Sequence, residues 1–163
     1  MLKDKSTLKD NISVSAIKNM MEEMNFKENL NVQHFDKDGN LIGETNLHNT
    51  VTTAGKNGAA DQLLASPTLG KPTHMAIGTG TPASTLLGTE VARVSFDSKT
   101  RSGAVVTMVA TFGAGVGTGT ITEAGIFDNG TANTVNMWNS ATSFTHTKGA
   151  SDSLVFTWTL TFG

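Results

Sequence analysis

The chain has 163 residues, a formal net charge of −2 and no cysteine. That length supports one domain with a sizeable core, the balanced charge argues against a nucleic-acid or acidic-membrane binder, and the missing cysteines exclude disulfides and thiolate metal sites. Charged residues make up 16%, below the usual figure of about a quarter, so Thr, Ser, Asn and Gly must supply the polar surface, as in many sheet-rich, assembly-forming proteins.

Residues 1–11, MLKDKSTLKDN, are charged and lack the apolar stretch of a signal peptide. No apolar run approaches the roughly 18 residues of a membrane span. The expectation is a soluble chain made in a cytoplasm without a cleaved leader. Charge is dense up to about Glu44 and sparse after about Arg101, which predicts a charged N-terminal arm (1–28) followed by a β domain (29–163).

Residues 13–27, SVSAIKNMMEEMNFK, read as a short helix. Ser13 or Ser15 can cap it, and Ile17, Met20, Met21 and Met24 share one face at helical spacing. This stripe either packs on its own domain or docks on another subunit, a use to which the flexible, polarizable thioether is suited. Residues 30–51 read as a hairpin in which Val32, His34 and Leu41 alternate with polar positions around the turn sequence DKDGN. Asp36, Asp38 and Asn40 imitate the start of a calcium loop. Leu41 stands where that loop needs Gly, however, and Leu47 where it needs a bidentate Glu, so a simple turn is the reading.

Residues 53–67, TAGKNGAADQLLASP, predict a loop leading into a small covering helix, with Ala59, Ala60, Leu63 and Leu64 in the helix and Pro67 beyond its end. The GKNG stretch is no phosphate loop, because Lys56 is followed by Asn57 rather than Ser or Thr.

From His74 onward the pattern is of strands, at 73–78, 91–97, 103–112, 119–127, 134–139 and 153–162. The last is the most regular. Leu154, Phe156, Trp158, Leu160 and Phe162 form one face and Val155, Thr157, Thr159 and Thr161 the other, the mark of a strand with one buried face. Each large apolar group would contribute about 1.5–3 kcal/mol on burial. Strands joined by Gly-rich turns, with little helix after residue 65, predict a mainly β fold: an antiparallel β-sandwich or jelly roll with a short N-terminal helical arm and one covering helix.

Gly78, Gly80 and Ala83 match G-x-G-x-x-A. A dinucleotide site needs a helix opening at the motif and an acidic ribose ligand about 20 residues further on. Position 103 is Gly, Asp97 comes too early, and Gly88 interrupts the following stretch. The better reading is a strand leaving its sheet through a Gly-rich turn, with Gly78 and Gly80 in backbone conformations that residues with a Cβ avoid.

Several stretches together carry a resemblance. NTVTTAGKNGAADQLLASPTLGKPTHMAIGTGTPAS, LGTEVAR, ATFGAGVGTGTITEAGIFD and SDSLVFTWTLTFG follow one another in order over about residues 49–163. This set resembles small virion structural proteins of tailed bacteriophages, often described as head-decoration or tail-fibre-like proteins. The resemblance implies a non-enzymatic β-sandwich on a virus particle. It further implies the major capsid protein or other virion proteins as partners, a homo-oligomer such as a trimer, and neither nucleic acid nor membrane as ligand. Capsid decoration or reinforcement is the first expectation. A tail, neck or fibre component acting as an adaptor or host-surface binder is the second, with recognition on loops 98–103, 113–119 and 128–133.

No catalytic constellation is legible. His34, His48, His74 and His146 are scattered and form no metal-binding pair. There is no G-x-S-x-G elbow. Glu90 and Glu123 are the two carboxylates that invite a glycosidase reading, but aromatics are 6% and Tyr is absent, leaving little to line a sugar cleft. Catalytic residues, cofactor and metal are therefore all expected to be none. Arg93 and Glu123 are the candidates for a bidentate ion pair pinning two strands or subunits, the alternative being two solvated charges on unrelated edges.

Overall fold

A computed structural model describes residues 26–163, and the Ile17, Met20, Met21 and Met24 stripe lies outside the described residues. In chain order the elements are β1 (Phe26–Phe35), β2 (Leu41–His48), β3 (Thr50–Val51), α1 (Thr53–Asp61), β4 (His74–Gly78), β5 (Glu90–Ser95) and β6 (Ser98–Ser102). They are followed by β7 (Val105–Phe112), β8 (Gly119–Ile121), β9 (Glu123–Phe127), β10 (Met137–Ala141), β11 (His146–Lys148) and β12 (Ser153–Phe162).

The fold is an antiparallel β-sandwich. One sheet has the order β2-β1-β12-β7-β6, the other β3-β10-β9-β4-β5, and β11-β8 forms a small third sheet. Between the two large sheets Leu30, Val32, Met108, Phe112, Leu154, Phe156 and Trp158 meet Met75, Ile77, Ala124 and Ile126 in a single buried cluster. Alternation in β12 holds as read: Leu154, Phe156, Trp158 and Leu160 are buried, and Phe162 at the strand end is not. β12 sits between β1 and β7 at the centre of its sheet, the position at which one buried face is worth most.

The second sheet is buried on both faces. Every residue of β9 is buried, and Ala76, Leu87, Phe127 and Met137 form a second cluster on its outer side. Cover comes from α1 and from the segments that follow β4 and β9. Thr52 caps α1, its hydroxyl accepting the Gly55 N–H at 3.0 Å and donating to the Trp138 carbonyl at 2.9 Å. The helix docks through its glycines. A Cβ at Gly55 would fall 2.1 Å from the Trp138 carbonyl oxygen, and one at Gly58 would fall 2.3 Å from the Trp138 ring. The expectation of a GKNG loop is therefore corrected: Gly55–Gly58 lies inside the helix, because only glycine permits so close an approach. Leu63 and Leu64 fall beyond the helix end and are exposed.

Other boundaries shift for physical reasons. β1 begins at Phe26, so residues 26–28 belong to the sheet rather than to the arm. Residues 98–102, expected in a loop, form edge strand β6. The strand expected at 119–127 divides at Thr122, β8 pairing with β11 and β9 with β4 and β10. β10 starts only after Asn136, whose φ of 79° is outside the strand region. Among the described residues no helix is long and apolar enough to cross a membrane.

Candidate functional site

The turn after β4 is built around one carboxylate. Glu123, the first residue of β9, is fully buried. Its Oε1 accepts the backbone N–H groups of Gly80 at 2.9 Å and Thr89 at 2.8 Å, and its Oε2 accepts that of Gly88 at 2.8 Å. Three peptide N–H groups thus compensate a buried acidic side chain, the condition under which such burial is tolerated. Thr122 continues the arrangement, its N–H donating to the Gly78 carbonyl and its hydroxyl to that of Gly80.

This geometry explains the glycines. Gly78 and Gly80 are absent from the positive-φ residues, so the expected backbone conformation is corrected. The requirement is space: a Cβ at Gly78 would lie 2.4 Å from Glu123 Oε1, and one at Gly80 would lie 2.8 Å from the Thr89 nitrogen. Within the G-x-G-x-x-A stretch the Gly80 N–H points at a protein carboxylate, and those of Thr79 and Ala83 donate to the Thr89 and Leu86 carbonyls.

Arg93 does not pair with Glu123. Its guanidinium binds Glu90 in a two-bond fork, Nε to Oε1 and Nη2 to Oε2, each 2.8 Å. The two side chains are only 2% and 3% exposed. The pair reaches the segment between β9 and β10: Arg93 Nη1 donates to the Asn129 carbonyl and the Thr134 hydroxyl, and the Asn133 N–H donates to Glu90 Oε2. The Arg93 Cζ also stands 3.7 Å from the centre of the buried Phe127 ring, a cation–π contact in a desolvated setting. The IGTGT, LGTEVAR and TITEAGIF stretches thus form one polar assembly covering one side of the second sheet.

A second polar assembly lies on the inner face of β1. At one end of that face, Glu28 accepts from the amide groups of Asn139 and Asn49. Burial pushes its carboxyl up to about 7, opposed by Trp158, Asn139 and Asn49. At the other end, His34 Nε2 lies 3.2 Å from Asp152 Oδ2, which also accepts the Gly149 N–H. His146 meets the His34 ring edge-on at 5.7 Å and has its Nε2 3.1 Å from the Thr45 hydroxyl. Burial and the neighbouring His34 hold His146 below its ordinary value. Lys148 is buried beside this group with no hydrogen-bond partner for its amine among the described residues, and burial holds it down against the pull of Asp152. Asp152 itself is held low, first by the Gly149 N–H and then by His34.

The structure brings His34 and His146 together, which spacing alone did not reveal, and leaves His48 and His74 elsewhere. His48 faces the Glu28 carbonyl and His74 the Thr73 hydroxyl. Among the described residues no group of three or more His, Cys, Asp or Glu gathers as a metal site. The Asp36 turn satisfies itself, Oδ1 accepting the N–H groups of Asp38 and Asn40. No known protein family, curated protein or solved structure matches this chain.

Proposed function

We propose that this chain is a non-enzymatic virion protein of a tailed bacteriophage, a β-sandwich that decorates or reinforces the capsid. The observation that carries the reading is the Glu123 and Glu90–Arg93 assembly. Three of the four stretches that carry the sequence resemblance meet there, and their charged groups hold backbone to backbone and loop to strand. The motif therefore reads as the signature of an architecture, and the carboxylates that invited a glycosidase reading have structural duties. A rigid module of this kind suits a repeating surface, where many weak contacts add to durable attachment.

Copy number in purified particles of the encoding phage, measured by quantitative mass spectrometry against the major shell protein, tests the proposal. Hundreds of copies in a simple ratio to the shell protein are expected. A handful of copies would move the protein to the neck, tail or fibres, and absence from the particle would overturn the virion reading.

A further inference from the structure

A groove of about 650 Å³ opens between α1, β6, β7, β10 and β12. Val106, Trp138 and Leu160 give it an apolar bed, and Lys71, Lys99 and Arg101 stand exposed around it. Lys99 and Arg101 pair in register with Met108 and Val106. They thus share the face of β6 that continues the inward face of β7, where Met108 is buried. Charges turned inward on an edge strand discourage strand addition, and here they also make one side of the groove basic. Lys99 donates to the Pro72 carbonyl and Arg101 to the Gly103 carbonyl. Among the described residues, no carboxylate forms an ion pair with any of the three cations.

We infer that the occupant of this groove is the chain's own segment 13–25, SVSAIKNMMEEMN. Position comes first. Phe26, where the described chain begins, pairs in register with Phe162, and Phe162 lines the groove. Asn139, which holds Glu28 of the same strand, lines it too. Met24 is two residues and Ile17 nine residues before Phe26, within reach at roughly 3.3–3.6 Å per extended residue. Chemistry comes second. The segment carries Ile17, Met20, Met21 and Met24 for an apolar bed, and Glu22 and Glu23, outnumbering Lys18, for a basic rim. Methionine fills irregular apolar gaps, and the tether gives the segment a high effective concentration at its own groove compared with that of another copy.

The absence of native cysteine makes the test direct. In the full chain, Met24→Cys is combined with Ala59→Cys, whose residue lines the groove on α1. A control chain combines Met24→Cys with Val116→Cys in the turn after β7, at the far end of that strand from Val106. Under mild oxidation at low protein concentration, the groove pair is expected to close within one chain at least about tenfold faster than the control. Lys99→Glu with Arg101→Glu is expected to slow closure by about threefold or more, and adding Glu22→Lys with Glu23→Lys to restore it. Closure no faster than the control overturns the inference. A disulfide-linked dimer as the main product also overturns it, and would assign the groove to the segment of a second copy.

Discussion

Glu90 and Arg93 reach the same side of β5 because Val91 is an extra residue in the ladder: Ala92 pairs with Ile77 and Glu90 with Gly78. In a regular strand, residues three apart face opposite ways. The bulge restores a common face and leaves Val91 exposed at the sheet edge. The buried fork and its hold on the Asn129–Thr134 segment both depend on that one inserted position.

Removing half of the pair leaves a buried charge without its partner. Arg93→Ala is expected to cost about 3–5 kcal/mol, whereas Arg93→Ala combined with Glu90→Ala should cost clearly less than the sum of the single changes. Urea unfolding of the three variants measures the coupling. Additive losses would show that the fork contributes nothing beyond its separate groups. Arg93→Lys should recover little, since an ammonium cannot reproduce the planar two-bond geometry.

Glu123→Gln replaces one accepting oxygen by an amide nitrogen that can only donate, so at least one of the three N–H groups loses its acceptor. The expected cost is about 1–3 kcal/mol, with faster hydrogen exchange at Gly80, Gly88 or Thr89. Unchanged exchange at all three amides would contradict the role assigned to this side chain.

Glu28 makes stability depend on pH in a direction unusual for a carboxylate. Its folded value of about 7 lies above its ordinary 4.5, so between those limits the folded state binds more protons than the unfolded one. The stabilisation is complete below pH 4.5 and is lost as pH rises to 7. Its size is about 3 kcal/mol, at 1.36 kcal/mol per unit. Glu28→Gln should remove that decline, which denaturant midpoints across pH 4–8 will reveal. Parallel profiles for the two proteins would contradict it.

His146 acts on the opposite limb. Burial and His34 lower its folded value below the ordinary 6.5, so below pH 6.5 the unfolded state takes up more protons. This contribution is complete above that pH and is lost on acidification. His146→Gln should flatten the decline just below pH 6.5 while leaving the Glu28 limb intact. An unchanged acid limb would show that His146 does not contribute to it.

Gly55→Ala sets helix propensity against packing. In an exposed helix the change stabilises by about 0.8–1 kcal/mol, yet here the new methyl would meet the Trp138 carbonyl oxygen. A net loss of stability is expected, together with a changed Trp138 emission, since Trp158 is fully buried and should report little. A stabilised variant would mean that α1 can shift on β10 without penalty.

The sequence announces features that repeat and hides those that occur once. Large apolar groups at every second position reveal β12, and DKDGN reveals the first hairpin. β6 has no such pattern, because its Lys, Thr and Arg occupy a sheet edge where apolar residues are not required. The partners of Glu123 are peptide N–H groups 34 to 43 residues away, and a backbone donor leaves no signature in residue identity. Reading Arg93 with Glu123 matched two charges correctly placed in related segments but could not see the bulge that gives Arg93 a nearer partner. Glycines in α1 read as a loop because their use is spatial, set by a tryptophan some eighty residues further along the chain.

The Glu123 arrangement also limits how this sequence can diverge. A side chain at Gly78 or Gly80, or a shift of the amide at Gly88 or Thr89, disturbs the same carboxylate. No one of the three segments can drift alone without stranding an acceptor or a donor in the other two. In diverging lineages IGTGT, LGTE and TITEAG should therefore be inherited or lost as a set, while segments that contribute nothing to that carboxylate are free to change independently.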